Sequence, residues 1–234
     1  KQKTAYEIYQ CDWSSDVCSS DLQALDAVRA ARAEGLPITC DITPHHLALT
    51  DAWIAGDQRW AWEYSDERPA TLSPTADAYN SNLRVCPPLR NARDAAACRA
   101  ALRDGTASAI ATDHAPHSRE KKEVEFGLAA NGIAGVETAL SVALAARAAG
   151  ELPLSLVAAL LTTGPAAVLN RPELARGLAV GGAANLLVVD LAGTWVPSRG
   201  TLVGRSINTP LLGRPLPGVV LMTLLNGEVA WKAE

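Results

Sequence analysis

The four histidines of the chain fall into two tight groups, and their spacing suits metal or acid–base chemistry. His45 and His46 are adjacent, while His114 and His117 closely follow Asp113. Neutral imidazole and carboxylate are ligands for Zn²⁺ and similar divalent ions. His45 and Asp113 alone cannot hold a catalytic metal, because three or more protein ligands are usual. The residues alone leave two interpretations open: part of a metal site, or a strand-to-loop turn that Asp113 and His114 merely close.

Both groups directly follow short apolar segments that predict buried β-strands. The segment PITCDI, residues 37–42, precedes the first pair, and ASAIATD, residues 107–113, leads into the second group. Helical patterns at residues 23–35 and 92–105 come before these strands, and each ends at a glycine. Helices that alternate with strands indicate a parallel sheet, and α/β barrels place their chemistry at the carboxyl ends of the strands. We therefore expect both groups at one edge of one sheet.

Three segments of the chain differ in composition. Residues 1–22 are rich in Ser, Asp and Cys and lack helical or strand periodicity. This predicts a foreign or disordered segment, with a genuine but divergent N-terminus as the alternative. Residues 23–173 carry the helix–strand alternation, interrupted by a long polar loop at 57–81. Residues 174–234 form a β-rich tail in which Asn226-Gly227 is a hairpin signal. Further helices are predicted near residues 136–149, 153–162 and 164–170.

The bulk composition argues against several classes of protein. With 48% hydrophobic residues the chain suits a folded protein with a core. The net charge of −4 and the lack of a Lys/Arg cluster argue against a nucleic-acid partner. No apolar run is long enough to span a membrane, and no secretory signal is readable. The five cysteines are irregularly spaced, which predicts reduced thiols and a cytoplasmic location.

Five motifs follow one another between about Gln23 and Glu234: DITPHHLALT, NSNLRVCPPLR, IATDHAPHSREKK, NGIAGVETAL and NTPLLGRPLPG. In this order they resemble the signature of dihydroorotases, which are cyclic amidohydrolases. TDHAPH with PPLR upstream and GIAGVET downstream is the most specific combination, because related dihydropyrimidinases, hydantoinases and allantoinases do not usually combine the three. The resemblance implies an α/β fold: the second part of a (β/α)₈ barrel, followed by a C-terminal β element that is part of a β-sandwich.

The resemblance also implies a site that holds two Zn²⁺ ions bridged by hydroxide in the complete protein. His45, the first histidine of PHH, matches a metal ligand at the end of the sixth barrel strand. Asp113 of TDHAPH matches the carboxylate that binds metal and shuttles the proton. His46 and His114 are expected to support or pack against this site. The family's bridging residue is a carboxylated Lys or an Asp, and the resemblance leaves that choice open.

Substrate contacts are carried over by motif in the same way. His117 of TDHAPH matches a residue that contacts the substrate. The backbone of Asn131 and Gly132 matches the segment that contacts the dihydropyrimidine ring. Cys86 stands before PPLR, where the family usually has a substrate-binding Asn. Because a thiol is a weak hydrogen-bonding group beside an amide, the chain departs from the family at this position.

Part of the family's site has no counterpart in the sequence. The HxH pair, the bridging residue, the fifth-strand His and a substrate-binding Arg would all precede Gln23. None of them is found in residues 1–22. We therefore expect the chain to be a C-terminal fragment that is inactive by itself.

The activity predicted for the complete protein is the reversible cyclisation of N-carbamoyl-L-aspartate to L-dihydroorotate. A small-molecule substrate is the expected partner, and a homodimer or a complex with aspartate transcarbamoylase stays open. One alternative is another cyclic amidohydrolase, such as a dihydropyrimidinase, hydantoinase or allantoinase. The other is a non-catalytic dihydroorotase-like subunit that scaffolds aspartate transcarbamoylase. Retention of His45, Asp113 and His117 favours the enzyme.

Overall fold

A parallel three-stranded sheet forms the first part of the fold. The computed structural model describes residues 16–64, 77–175, 177–178 and 180–233. Strands β1 (Asp16–Cys18), β2 (Thr39–Ile42) and β3 (Ala109–Ile110) lie in the order β1-β2-β3. All pairs are parallel, with Ile42 opposite Ile110. The two strands predicted from the sequence are therefore present and adjacent, although β3 is shorter than the predicted segment.

Helices α1 (Leu22–Ala33) and α3 (Ala92–Asp104) connect these strands, as the sequence predicts. The side chain of Asn91 accepts a hydrogen bond from the backbone N–H of Asp94 and so caps α3 at its N-terminus. Gly105 ends the same helix in the left-handed conformation, with φ of 80°. These local signals fix where α3 begins and ends, and hence where β3 can start.

The structure corrects the expectation of disorder for the end of the 1–22 segment. Residues 16–18 pair with β2, and the Ser19 N–H donates to the Asp41 carbonyl at 3.1 Å. Ser19 and Ser20 are buried, and the Asp21 side chain caps α1 by accepting from the Ala24 N–H. Because residues 16–18 pair with β2 and Asp21 caps α1, residues 16–22 are part of the fold. Residues 1–15 lie outside the described residues.

In the part of the chain that the structure describes, the remaining helices are three predicted ones and two that the sequence did not indicate. The three predicted helices are α5 (Ala139–Ala148), α6 (Leu154–Leu161) and α7 (Thr163–Val168). The two short additional ones are α2 (Pro44–Ala48) and α4 (Arg119–Lys122). Single 3₁₀ turns occur at Asp51–Ala55, Ala61–Glu63, Ser81–Leu83 and Pro172–Ala175. Within the described ranges, no helix has the length and apolar character needed to cross a membrane.

The predicted polar loop at residues 57–81 is docked on the protein where it is described. Trp60 is buried, and its ring stacks on that of Trp62 with a centroid distance of 5.2 Å. The guanidinium of Arg214 lies 4.0 Å from the centroid of the Trp60 ring. These contacts fasten the first part of the loop to the tail of the chain. Residues 65–76 of the loop lie outside the described residues.

The tail forms an antiparallel sheet, as its composition predicts. Strands β4 (Leu186–Trp195), β5 (Leu216–Leu225) and β6 (Glu228–Lys232) lie in the order β4-β5-β6. Asn226 and Gly227 have φ of 53° and 87° and make the predicted hairpin turn between β5 and β6. The sheet packs on α5, where the Trp195 indole N–H donates to the Ser141 hydroxyl at 2.8 Å.

Candidate functional site

The structure brings the two histidine groups to the same edge of the parallel sheet. His45 lies on α2, which begins directly after β2 with Thr43 as its cap. Asp113 follows β3 after two residues of loop. Since β2 and β3 are neighbours and run in parallel, their carboxyl ends coincide. His45 and Thr112 line the same small cavity, so the edge predicted from the sequence is observed.

His45 is a buried histidine with an unsatisfied ring nitrogen. Its exposed fraction is 5%, and among the described residues its Nε2 has no hydrogen-bond partner. Burial, and secondarily the neighbouring His46, lower the pKa of His45 well below its usual range. The ring is therefore neutral near pH 7, and Nε2 can offer a lone pair. A buried, unpartnered and neutral imidazole nitrogen fits a metal ligand.

His46, in contrast, is satisfied at both ring nitrogens. Nε2 lies 3.0 Å from the Pro87 carbonyl, so it carries the proton, because a carbonyl only accepts. The Thr43 hydroxyl then donates to Nδ1 at 2.8 Å. His46 thus ties the start of α2 to the Pro87 segment. The supporting role expected for His46 at a metal site stays a prediction.

Asp113 presents a carboxylate that receives no hydrogen bond from the described part of the chain. The residue is exposed, and no described residue donates a hydrogen bond to its side chain. Neighbouring protein displaces part of the water around the carboxyl and so raises the pKa of Asp113. The φ of 44° is uncommon for a residue other than glycine. A carboxylate held this way is available to a metal ion or to a proton.

The residues described here do not make a complete metal site by themselves. Among them, no group of three or more His, Cys, Asp or Glu side chains could hold an ion. The next histidine along the chain, His114, accepts at Nδ1 from the Val136 N–H at 3.3 Å and forms a bridge with Ile133. His45 and Asp113 therefore fit as individual ligands of a site that needs others.

The three residues expected to contact substrate through the TDHAPH and NGIAG motifs lie together. The Nε2–H of His117 donates to the Asn131 carbonyl at 2.8 Å, which leaves Nδ1 for another partner. Gly132 has φ of 134°, and a Cβ there would lie 2.3 Å from the Cβ of Ala115. Only glycine fits at this position, because the backbone of the turn passes directly over the TDHAPH loop.

The tail of the chain supports His117, which the sequence did not indicate. Asn208 lies on the segment between β4 and β5. Its Nδ2 donates to the carbonyls of Ala115 and Gly132 at 3.0 and 3.1 Å, and its Oδ1 accepts from the His117 N–H at 3.1 Å. The Ser206 hydroxyl donates to the His117 carbonyl at 2.7 Å. The NTPLLGRPLPG motif contains Asn208, so the motif was the available signal, although no role follows from its letters alone.

A cationic cavity lies beside His117. It has a volume of about 200 Å³ and is lined by Lys122 together with Arg119, Arg199 and Arg205. Glu123 is the lining carboxylate, and it pairs with Arg119. The excess of positive charge favours an anionic ligand near His117.

Cys86 is exposed and is a free thiol. Arg84, two positions earlier, accepts a hydrogen bond from the Gly132 N–H at 2.8 Å through its carbonyl. Pro87, the next residue, is held by His46. The backbone on both sides of Cys86 is therefore anchored to the predicted site.

Comparisons with known proteins identify the family of this chain. The sequence pattern of the amidohydrolase family matches residues 12–230. Over 206 residues the chain is 43% identical to a dihydroorotase from Anaeromyxobacter dehalogenans and 39% identical to one from Mycobacterium tuberculosis. These alignments cover 88% of this chain but 42% and 43% of the relatives. The chain thus spans less than half the length of the curated relatives it matches.

Similar folds are found among hydantoinases of known structure. The L-hydantoinase (dihydropyrimidinase) from Arthrobacter aurescens has a TM-score of 0.76 and 23% identity, covering 92% of this chain and 44% of that one. The D-hydantoinase (dihydropyrimidinase) from Thermus sp. has a TM-score of 0.74 and 24% identity with the same coverage. The fold is therefore an α/β amidohydrolase fold. With a family match over nearly its whole length, the chain belongs to the amidohydrolase family.

Proposed function

We propose that this chain is the C-terminal part of a dihydroorotase, which interconverts N-carbamoyl-L-aspartate and L-dihydroorotate. The structural observation that carries the proposal is the buried, unpartnered Nε2 of His45 at the strand edge that it shares with Asp113. The 43% and 39% identity to dihydroorotases supports this substrate over others. The cationic cavity beside His117 suits the carboxylates of both substrates.

In the complete protein, further strands and metal ligands join those of this chain. The parallel strands β1 to β3 belong to an eight-stranded (β/α)₈ barrel, and β4 to β6 belong to a β-sandwich. The hydantoinases support this, since the chain covers 44% of each. The remaining metal ligands come from polypeptide outside this chain, because His45 and Asp113 are too few. Two Zn²⁺ ions are the proposed complement, in a cytoplasmic enzyme with a small-molecule substrate.

His45 and Asp113 have different roles in the proposed reaction. His45, through the Nε2 lone pair, and Asp113, through a carboxylate oxygen, would hold the metal. When bound, the metal ions polarise the ring amide carbonyl and acidify water. During ring opening, a carboxylate oxygen of Asp113 accepts the proton of the attacking water and passes it to the leaving amide nitrogen. In cyclisation the carboxyl of Asp113 starts protonated and works in reverse.

His117 and the 131–132 backbone bind the substrate in this proposal. The proton on Nε2 of His117 is used by the Asn131 carbonyl. The other ring nitrogen, Nδ1, is therefore the one that meets the substrate. The resulting contacts orient the ring amide towards Asp113.

Substitution of His45 tests the metal assignment. The complete protein can be expressed from a gene in which the coding sequence of this chain is joined to the upstream coding sequence of its source. In that protein, His45→Ala should lower metal affinity. The loss should reach at least about 10- to 100-fold, the range that loss of a supporting residue alone produces. Metal content after dialysis, measured by mass spectrometry, checks this. Full metal occupancy in the variant would show that His45 is not a ligand.

A second candidate function is hydrolysis of other cyclic amides, which the fold similarity to hydantoinases favours. Rates on dihydroorotate, dihydrouracil, hydantoin and allantoin separate the two, and dihydroorotate should be the best substrate. A non-catalytic subunit that scaffolds aspartate transcarbamoylase would turn over none of them and would bind that enzyme instead. Sedimentation with and without aspartate transcarbamoylase measures this association and any homodimer.

Cys86 offers a test of how closely the site follows its relatives. If the side chain faces the substrate, Cys86→Asn should restore an amide contact. One neutral hydrogen bond contributes about 0.5–1.5 kcal/mol, or about a 2- to 12-fold gain in kcat/KM for dihydroorotate. Metal content should not change, because this position is not a ligand. An unchanged kcat/KM together with a lowered melting temperature would sink the substrate-contact assignment.

A further inference from the structure

Residues 130–132, here called the 130–132 turn, have every carbonyl bonded to a side-chain donor. The Lys122 Nζ donates to the Ala130 carbonyl at 2.9 Å and to the Gly132 carbonyl at 3.1 Å. His117 donates to the Asn131 carbonyl, and Asn208 also donates to the Gly132 carbonyl. Most protein hydrogen bonds join one backbone group to another. Three side chains from three segments fix this turn instead.

Two of the three backbone N–H groups of the 130–132 turn donate to backbone carbonyls of the described residues. The Ala130 N–H donates to the Lys121 carbonyl at 2.9 Å, and the Gly132 N–H donates to the Arg84 carbonyl at 2.8 Å. Among the described residues, the N–H of Asn131 has no such acceptor, and Asn131 is exposed. The network therefore leaves one donor of the turn available, beside the ring of His117.

Lys122 is the unusual member of this network. Its exposed fraction is 3%, and it forms no ion pair with a described carboxylate. Lysine is almost never fully buried unless it is paired. Burial, and secondarily Arg84, lower the pKa of Lys122 to about 8. A stabilising core residue would be apolar here, so the position is explained by the two carbonyls that the ammonium holds.

Building on the proposed function, we infer that Lys122 is a positioning residue for the substrate-binding turn. Its Nζ holds the Ala130 and Gly132 carbonyls on either side of Asn131, and so aims the Asn131 N–H at the substrate next to His117. Lys122 lines the cavity beside His117, but two carbonyls occupy its Nζ, so it acts on the substrate through the turn and not by direct contact. It acts by keeping the turn in one conformation before the substrate arrives.

Amide hydrogen exchange on the 234-residue chain tests the holding role without any catalytic activity. Lys122→Met keeps the aliphatic stem but removes the donors, and should speed exchange at the Ala130 and Gly132 amides by about tenfold or more, since two hydrogen bonds are lost. Lys121→Met is the matched control, because Lys121 is the exposed neighbour on α4 and contributes only its backbone carbonyl. The amide of Val142 in α5 reports global folding in both variants.

Unchanged exchange at the two turn amides in a folded Lys122→Met chain would overturn the inference. If this variant does not fold, Lys122→Gln takes its place, because its amide keeps donors on a shorter stem. Partial loss of protection at the same two amides is then expected. Protection equal to that of the unsubstituted chain would again count against the inference.

Kinetics of the complete, metal-loaded protein test the consequence for substrate. Lys122→Met should raise KM for dihydroorotate by about tenfold, with kcat within about threefold and metal content unchanged. Lys122→Arg, which keeps the charge and donors, should restore much of the affinity. A fall in kcat at constant KM, or no change, would refute the positioning role. If the unsubstituted protein does not act on dihydroorotate, the proposed function fails, while the exchange experiment still decides the holding role.

Discussion

Asp113→Asn in the complete, metal-loaded protein should lower kcat for dihydroorotate by about 10³-fold or more, because general acid–base catalysis alone contributes about 10²- to 10⁴-fold. The carboxylate of Asp113 has no donor among the described residues, and its raised pKa brings it closer to the range where it can both take and return a proton. An amide can neither accept that proton nor bind a metal as an anion. Both the rate and the metal content should therefore fall.

Asp26→Asn is the control for this experiment. Asp26 is exposed on α1, where it pairs with Arg29 far along the chain from the site. Steady-state rates and metal content of both variants, measured side by side, separate a local effect from a general loss of carboxylate charge. Near-normal turnover by the Asp113 variant would refute its assignment as proton shuttle.

Gly132→Ala should cause a large loss of stability. The backbone at φ of 134° is a region that side chains avoid, which costs about 1–3 kcal/mol. The new Cβ would also lie 2.3 Å from the Cβ of Ala115, and relieving such a clash costs about 1–3 kcal/mol more. Urea unfolding of the 234-residue chain should therefore show a free energy of unfolding about 2–6 kcal/mol lower.

Gly150→Ala separates the two causes of this loss. Gly150 also has a positive φ, of 79°, but a Cβ there would meet nothing within 4 Å. This variant should lose only the backbone contribution of about 1–2 kcal/mol. An equal loss of unfolding free energy in the two variants would mean that the turn can move away from Ala115 without cost. The close packing of Gly132 on Ala115 would then not contribute to stability.

Helices and turns with local signals could be predicted from the sequence. Asn91 and Gly105 mark the two ends of α3 because both act on nearby backbone. The Asn91 side chain caps a backbone N–H in the first turn, and Gly105, which has no side chain, adopts the left-handed conformation that ends the helix. Asn226-Gly227 predicts its hairpin for the same reason. The short helix α2 was missed, although Thr43-Pro44 is a cap followed by a proline, because five residues are too few to show a helical period.

The parts that were missed depend on contacts between distant segments. Residues 16–18 show no strand periodicity and become a strand because β2 offers them a partner. The site residues His45, Asp113, His117, Asn131 and Gly132 came from motif resemblance. Their supports, Lys122 and Asn208, could not be found this way, since the carbonyls they hold have no signature in the sequence. The hydrogen bonds between Asn208 in the tail and the loop that carries His117 are visible only in the three-dimensional structure.

The hydrogen bonds between Asn208 and the His117 loop join residues 91 positions apart, and this separation has a thermodynamic consequence. The antiparallel sheet and the parallel sheet cannot open independently while these bonds persist. A ligand that binds His117 and the 130–132 turn therefore stabilises both sheets against unfolding through mass action. Ligand occupancy should thus merge the melting of the two sheets into one cooperative transition, with hydrogen-exchange protection rising in β4 and β5 as well as around His117.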